Sequence, residues 1–108
     1  MSNWSHIYSI ITIETASSYP KGSALCYAFD VLKRIPVISG DEGMAWVVPV
    51  KTVVEPALGD KETAKITLAV FGDLRGATKN GTLKDFSAMV RFLLKEDFFV
   101  KVHVLKVN

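Results

Sequence analysis

The residues able to do chemistry are few, and their spacing is uninformative. His6 and His103 are the only histidines. Without a spaced set of cysteines or acids around them they give no metal signature. Neither has a serine or cysteine partner visible in the sequence, so nucleophilic catalysis has no support. Asp41 and Glu42 are adjacent; on a strand they would face opposite ways, so they read as a solvated turn and not as an acid/base pair. The stretch GDLRGATKNG, Gly72 to Gly81, leads into a helix start. Backbone amides there favour anions, and Arg75 and Lys79 would add charge. Its spacing matches neither GxGxxG nor GxxxxGK[ST], and a plain connector is the simpler reading. Cys26, the single cysteine, lies in an apolar helical pattern and reads as a buried, inert thiol. Trp4 is costly to leave unanchored, so it is expected to pack on its own domain or on a neighbour. No catalytic residue, metal or cofactor is expected.

Six elements must position these residues. His6 to Thr15, HIYSIITIET, has isoleucines on both faces and reads as a central strand. A helix follows, with Leu25, Ala28, Phe29, Leu32 and Ile35 as its stripe. Ser17 and Ser18 are its candidate N-caps, although Gly22 allows a start only at Ser23. Lys33 and Arg34 fall in its last turn, before Pro36 stops it. Met44 to Glu55 is a second strand, and Pro49 within it demands a sheet edge. Pro56 to Thr63 reads as a polar turn, and Ala64 to Gly72 as the third strand. Thr82 is expected to cap a second helix with Leu83, Phe86, Met89, Val90, Leu93 and Leu94 on its apolar face. Phe98 to Val107 is the fourth strand, with Val100, Val102 and Val104 alternating against Lys101, His103 and Leu105.

This order predicts one α+β domain spanning residues 1–108: a ferredoxin-like βαββαβ sandwich. Its four-stranded antiparallel sheet would have the order 4-1-3-2, with both helices on one face. The start of strand one, the loop after helix one and the loop after strand three then meet at one end. That end would gather Trp4, His6, Asp41, Arg75 and Lys79 as a ligand- or partner-binding site. The opposite sheet face would carry Tyr8, Ile10, Phe71, His103 and Leu105. So apolar a face predicts a homodimer or larger oligomer formed back to back.

Composition bounds the function. A chain of 108 residues with 49% hydrophobic and 22% charged residues is globular and not disordered. Thirteen basic against eleven acidic residues leave a net charge of +2, without a like-charge block. That is too mild to suggest nucleic acid. The third strand, KITLAVFG, also lacks the basic-glycine-aromatic pattern of RNA-binding strands. No run spans a bilayer. One thiol and no leader pattern point to the cytoplasm.

The opening NWSHIYSIITIET, followed by a helix and VISGDEGM, resembles a group of small uncharacterised bacteriophage proteins. Their shared features are a WSH segment, an isoleucine-rich strand and an SG-acid-x-x-M turn before strand two. The match covers about the first 45 residues. The resemblance implies a phage setting in the host cell cytoplasm. It also implies a protein that acts by binding, as an inhibitor of host defence or a sponge for nucleotide-like ligands. Two alternatives stand beside this reading: a particle or assembly protein that self-associates through the open sheet face, and an enzyme acting on a phosphorylated substrate at the Gly72–Gly81 loop.

Overall fold

The computed structural model describes residues 3–108. The elements are β1 (Trp4–Thr15), β2 (Tyr19–Pro20), α1 (Ala24–Leu32), β3 (Trp46–Pro56), β4 (Lys61–Arg75), α2 (Lys79–Lys95) and β5 (Phe98–Val107). The fold is α+β, with two helices and one antiparallel sheet. That sheet has five strands where four were expected. Its order departs from 4-1-3-2: the path runs β2-β4-β1-β5, with β3 also paired to β4. The extra strand arises because β4 starts at Lys61, inside the expected turn. Its first residues offer a ladder to the chain just after β1, where Tyr19 pairs with Glu62 and Pro20 with Lys61. The buried Glu62 carboxylate accepts the Gly22 amide and fixes the bend into α1. Pro49 lies on β3, whose ladder is with β4.

Strict alternation sorts the sheet into two faces. Along β1 the odd residues from Ser5 to Thr15 are buried, and along β4 the even residues from Glu62 to Val70 and then Leu74. Ile7, Ile11 and Ile13 join Ile66, Leu68, Val70 and Leu74 in one core. The same core takes Ala28 and Val31 from α1 and Phe86, Met89 and Leu93 from α2, so both helices cover the same face. Each buried Ile or Leu contributes about 1.5–3 kcal/mol of transfer free energy. This outweighs local helix preference: α1 is nine residues long, shorter than helices that persist alone in water.

The helices differ in detail from the sequence expectation. α1 buries Ala24, Ala28 and Val31 and ends at Leu32, with Lys33 as its C-cap, so neither Lys33 nor Arg34 lies in the last turn. Phe29 and Cys26 face outward, and Cys26 is an exposed thiol where a buried one was expected. Ser17 and Ser18 cap nothing, because β2 intervenes before the helix. α2 starts a turn early: Thr78 is the N-cap, and its hydroxyl accepts the Gly81 amide. Thr82 is instead buried inside the helix, with its hydroxyl 2.8 Å from that of Ser5.

Tyr19, Tyr27 and Phe98 stack in sequence, at 4.7 and 5.8 Å between centroids, and tie β2, α1 and β5 together. Burial and the hydrogen bond with Tyr27 push the Tyr19 hydroxyl up to about 12.

Ser9 sits fully buried on the helix-covered face, and its hydroxyl has no hydrogen-bond partner among the described residues. An unmet buried hydroxyl costs about 1–3 kcal/mol. Ser9→Ala is therefore expected to raise stability by about 1 kcal/mol, read from the urea midpoint at unchanged slope. A drop of that size would show that the hydroxyl is satisfied.

Candidate binding face

The uncovered face is built row by row from the strand registers. One row runs Trp46, Phe71, Tyr8, Lys106 across β3, β4, β1 and β5. The next is Val48, Ala69, Ile10, Val104, and the one after is Lys51, Thr67, Thr12, Lys101. Neighbours in a row stand about 4.8 Å apart, and successive rows about 7 Å apart. The face thus grades from aromatic through aliphatic to cationic and hydroxylic.

Two bulges create this grading. β3 shifts register between Pro49 and Lys51, and β5 shifts against Ile10 and Ile11. Both fall at the same level, between the aliphatic and the lysine rows. Trp46 and Lys51 are an odd number of residues apart, as are Lys101 and Lys106. Plain alternation would place them on opposite faces; a bulge returns them to one. The same shift corrects one interface residue. Leu105 pairs with Ser9 on the helix-covered face, not on the open face where alternation placed it. Val104 takes that position. His103 is the residue left over, and its Nε2 lies 2.6 Å from Thr12 Oγ1. Tyr8, Ile10 and Phe71 belong to the open face.

Beyond the aromatic row, β4 extends to Arg75, so Asp73 and Arg75 are strand residues rather than parts of a loop. His6 lies opposite Asp73 and Trp4 opposite Arg75. His6 Nδ1 is 2.5 Å from Asp73 Oδ1, and its ring stacks parallel to Trp4 at 6.3 Å. Arg75 pairs with Glu42 at 3.0 Å. Trp46, Trp4, Tyr8 and Phe71 keep 65%, 53%, 48% and 41% of their surface exposed.

The segment 39–45 is clasped against this end of β4 through close backbone contacts. Ser39 bridges Met44, Glu42 bridges Arg75, and the Asp41 amide donates to the Arg75 carbonyl at 2.7 Å. Glycines make the approach possible. A Cβ on Gly72 would lie 2.8 Å from Ala45 Cα, and one on Gly43, at φ +85°, would lie 2.8 Å from the Asp73 carbonyl. Sequence reasoning passed over Asp73, Met44 and Trp46. Only the β3–β4 register could have found Trp46, by setting it beside Phe71.

Of the five candidate site residues, Trp4, His6 and Arg75 share the open face. Asp41 lies behind them, against Gly76, and Lys79 is the first residue of α2. The start of α2 borders a hollow of about 430 Å³ whose lining includes Asp41, Lys84 and Asp85. The expected anion loop is mostly strand and helix: only Gly76, Ala77 and Thr78 connect β4 to α2. Among the described residues no group of three or more His, Cys, Asp or Glu could hold a metal ion. None of their helices is long and apolar enough to cross a membrane.

No family model matches the chain, and no curated protein matches it. Several solved structures are similar in fold, two of them as follows. One is a hydantoinase/carbamoylase-family amidase from Burkholderia multivorans, with a TM-score of 0.56 and 14% identity over 98% of this chain. The other is an amidase of the same family from Burkholderia ambifaria, with a TM-score of 0.53 and 14% identity over 96% of this chain. The chain spans 29% and 28% of those proteins. At this identity the likeness concerns the fold.

Gly43→Ala is expected to destabilise the protein by about 1–3 kcal/mol through its left-handed backbone and the contact with Asp73. Amide exchange should quicken at Asp41 and Arg75, whose amides bond across the clasp, while the protection of β1 stays unchanged. Unaltered exchange at 39–45 would refute the clasp.

Proposed function

We propose that the protein acts by binding, with the uncovered sheet face as its working surface and no reaction of its own, in a bacteriophage setting. On this reading β2 is a continuation of β1, and the long strands form a ferredoxin-like layer. The carrying observation is the set of four exposed aromatic side chains, Trp4, Tyr8, Trp46 and Phe71, gathered on the one face that the helices leave bare. Burying such rings elsewhere would add core stability. Trp46, Phe71 and Tyr8 adjoin in one row, with Trp4 beyond the His6–Asp73 pair, and rings left exposed side by side favour a surface that meets something. The WSH and SGDEGM segments converge on the end of β4 that borders this zone. The occupant is a host partner or a nucleotide-like ligand.

A second reading, self-association as an assembly protein, is favoured by the aliphatic row Val48, Ala69, Ile10, Val104. In it Tyr8, Ile10, Phe71 and His103 lie in the interface between copies.

The test is native mass spectrometry of protein purified from infected cells, comparing the wild type with Tyr8→Ser/Phe71→Ser. Both side chains are exposed, so the double variant is expected to fold, with unchanged far-ultraviolet circular dichroism. The wild type should carry mass beyond one chain, and the folded variant should lose it. Identical spectra with no added mass would reject the face as the working surface.

A further inference from the structure

We propose that the open face binds single-stranded nucleic acid. This inference rests on the open face being the working surface, and it names the occupant. Three aromatic residues on adjacent strands, Trp46, Phe71 and Tyr8, stand side by side in one row. Base stacking on sheet-borne aromatics is how many proteins hold unpaired strands, and it tolerates any sequence, because every base has a π-face. The lysine row supplies the second requirement. Lys51 and Lys101 flank the hydroxyls of Thr67 and Thr12, giving two cations and two hydrogen-bonding groups suited to phosphate oxygens.

The charge on the face fits this occupant better than net charge suggests. Asp73 is engaged by His6 and Glu42 by Arg75. Lys51, Lys101 and Lys106 make no ion pair among the described residues. The acids at the aromatic end are matched, while Glu14 stands on the same face opposite Lys65, one row beyond Lys51 and Lys101. The aromatic and lysine rows are two row steps apart, about 14 Å. Engaging both rows at once exceeds one nucleotide's base-to-phosphate reach, so the proposal is for a strand that spans them.

The low net charge and the missing RNA-binding strand motif do not oppose this. The platform is assembled across strands, where a motif confined to one strand cannot register it.

The test uses the full chain and labelled twelve-residue oligothymidylate and oligouridylate, followed by fluorescence anisotropy. A twelve-base-pair duplex and a free nucleoside monophosphate serve as comparisons. Saturable binding to the single strands is expected, with far weaker binding to duplex and mononucleotide. Affinity should fall about sevenfold between 50 and 200 mM salt if two phosphates are contacted. Phe71→Ala and Tyr8→Ala should each weaken binding about fivefold or more. Lys51→Ala/Lys101→Ala should flatten the salt dependence, with the circular dichroism of each variant unchanged. No saturable binding at 50 mM salt, equal affinity for duplex or mononucleotide, or indifference to Phe71→Ala would each overturn the proposal. Sedimentation separates this from failure of the face itself. A dimer that Phe71→Asp dissociates would mean a second copy occupies the face. That result refutes the nucleic-acid inference and leaves the face as the working surface.

Discussion

The antiparallel ladder between β1 and β4 is the constraint from which the rest of the molecule follows. It runs from Trp4 opposite Arg75 to Glu14 opposite Lys65, and it puts the two strands with the most buried residues at the middle of the sheet. A one-residue slip would turn every buried isoleucine outward, so the hydrophobic core itself locks the register. Once locked, the ladder decides which residues of β1 and β4 the helices cover. It also carries Trp4 and His6 to the same end as Asp73 and Arg75, across about seventy residues of sequence.

The outer strands adapt to that frame by yielding rather than by matching it. β3 and β5 each bulge at the level between the aliphatic and lysine rows. On β5 the bulge keeps Val100, against Ile13, turned to the core while Val104 and Lys106 face outward. Without it, either the lower valines or the upper pair would be on the wrong side. Bulges also bend and twist an edge strand away from chance pairing. One device thus composes the face and protects the sheet.

Polar side chains at the aromatic end are arranged as pairs. His6 with Asp73 and Arg75 with Glu42 are exposed pairs, each worth little on its own. The glycines at 43 and 72 let the 39–45 segment lie directly on β4. The WSH and SGDEGM segments are therefore neighbours in space, joined through the last residues of one strand. Trp4 stays 53% exposed, with the His6 ring parallel to its own at 6.3 Å.

The element types were legible in the sequence. Helix and strand patterns follow from which residues are apolar and at what period, and Pro49 marks its strand by the hydrogen bond it cannot donate. The covered and uncovered faces of β1 and β4 were legible for the same reason, because simple alternation holds along both. What only the tertiary structure decided are the quantities that depend on pairing between distant segments: the extension of β4 through Asp73 and Arg75, the added strand β2, the early start of α2 at Thr78, and the outward turn of Cys26. The bulges belong there too. An extra residue in a strand is defined only against its partner, so the alternation that was right for β1 was wrong for Leu105. The cross-strand aromatic row was hidden for the same physical reason, since the register that lines up Trp46, Phe71 and Tyr8 is set by packing and not by any one strand's residues.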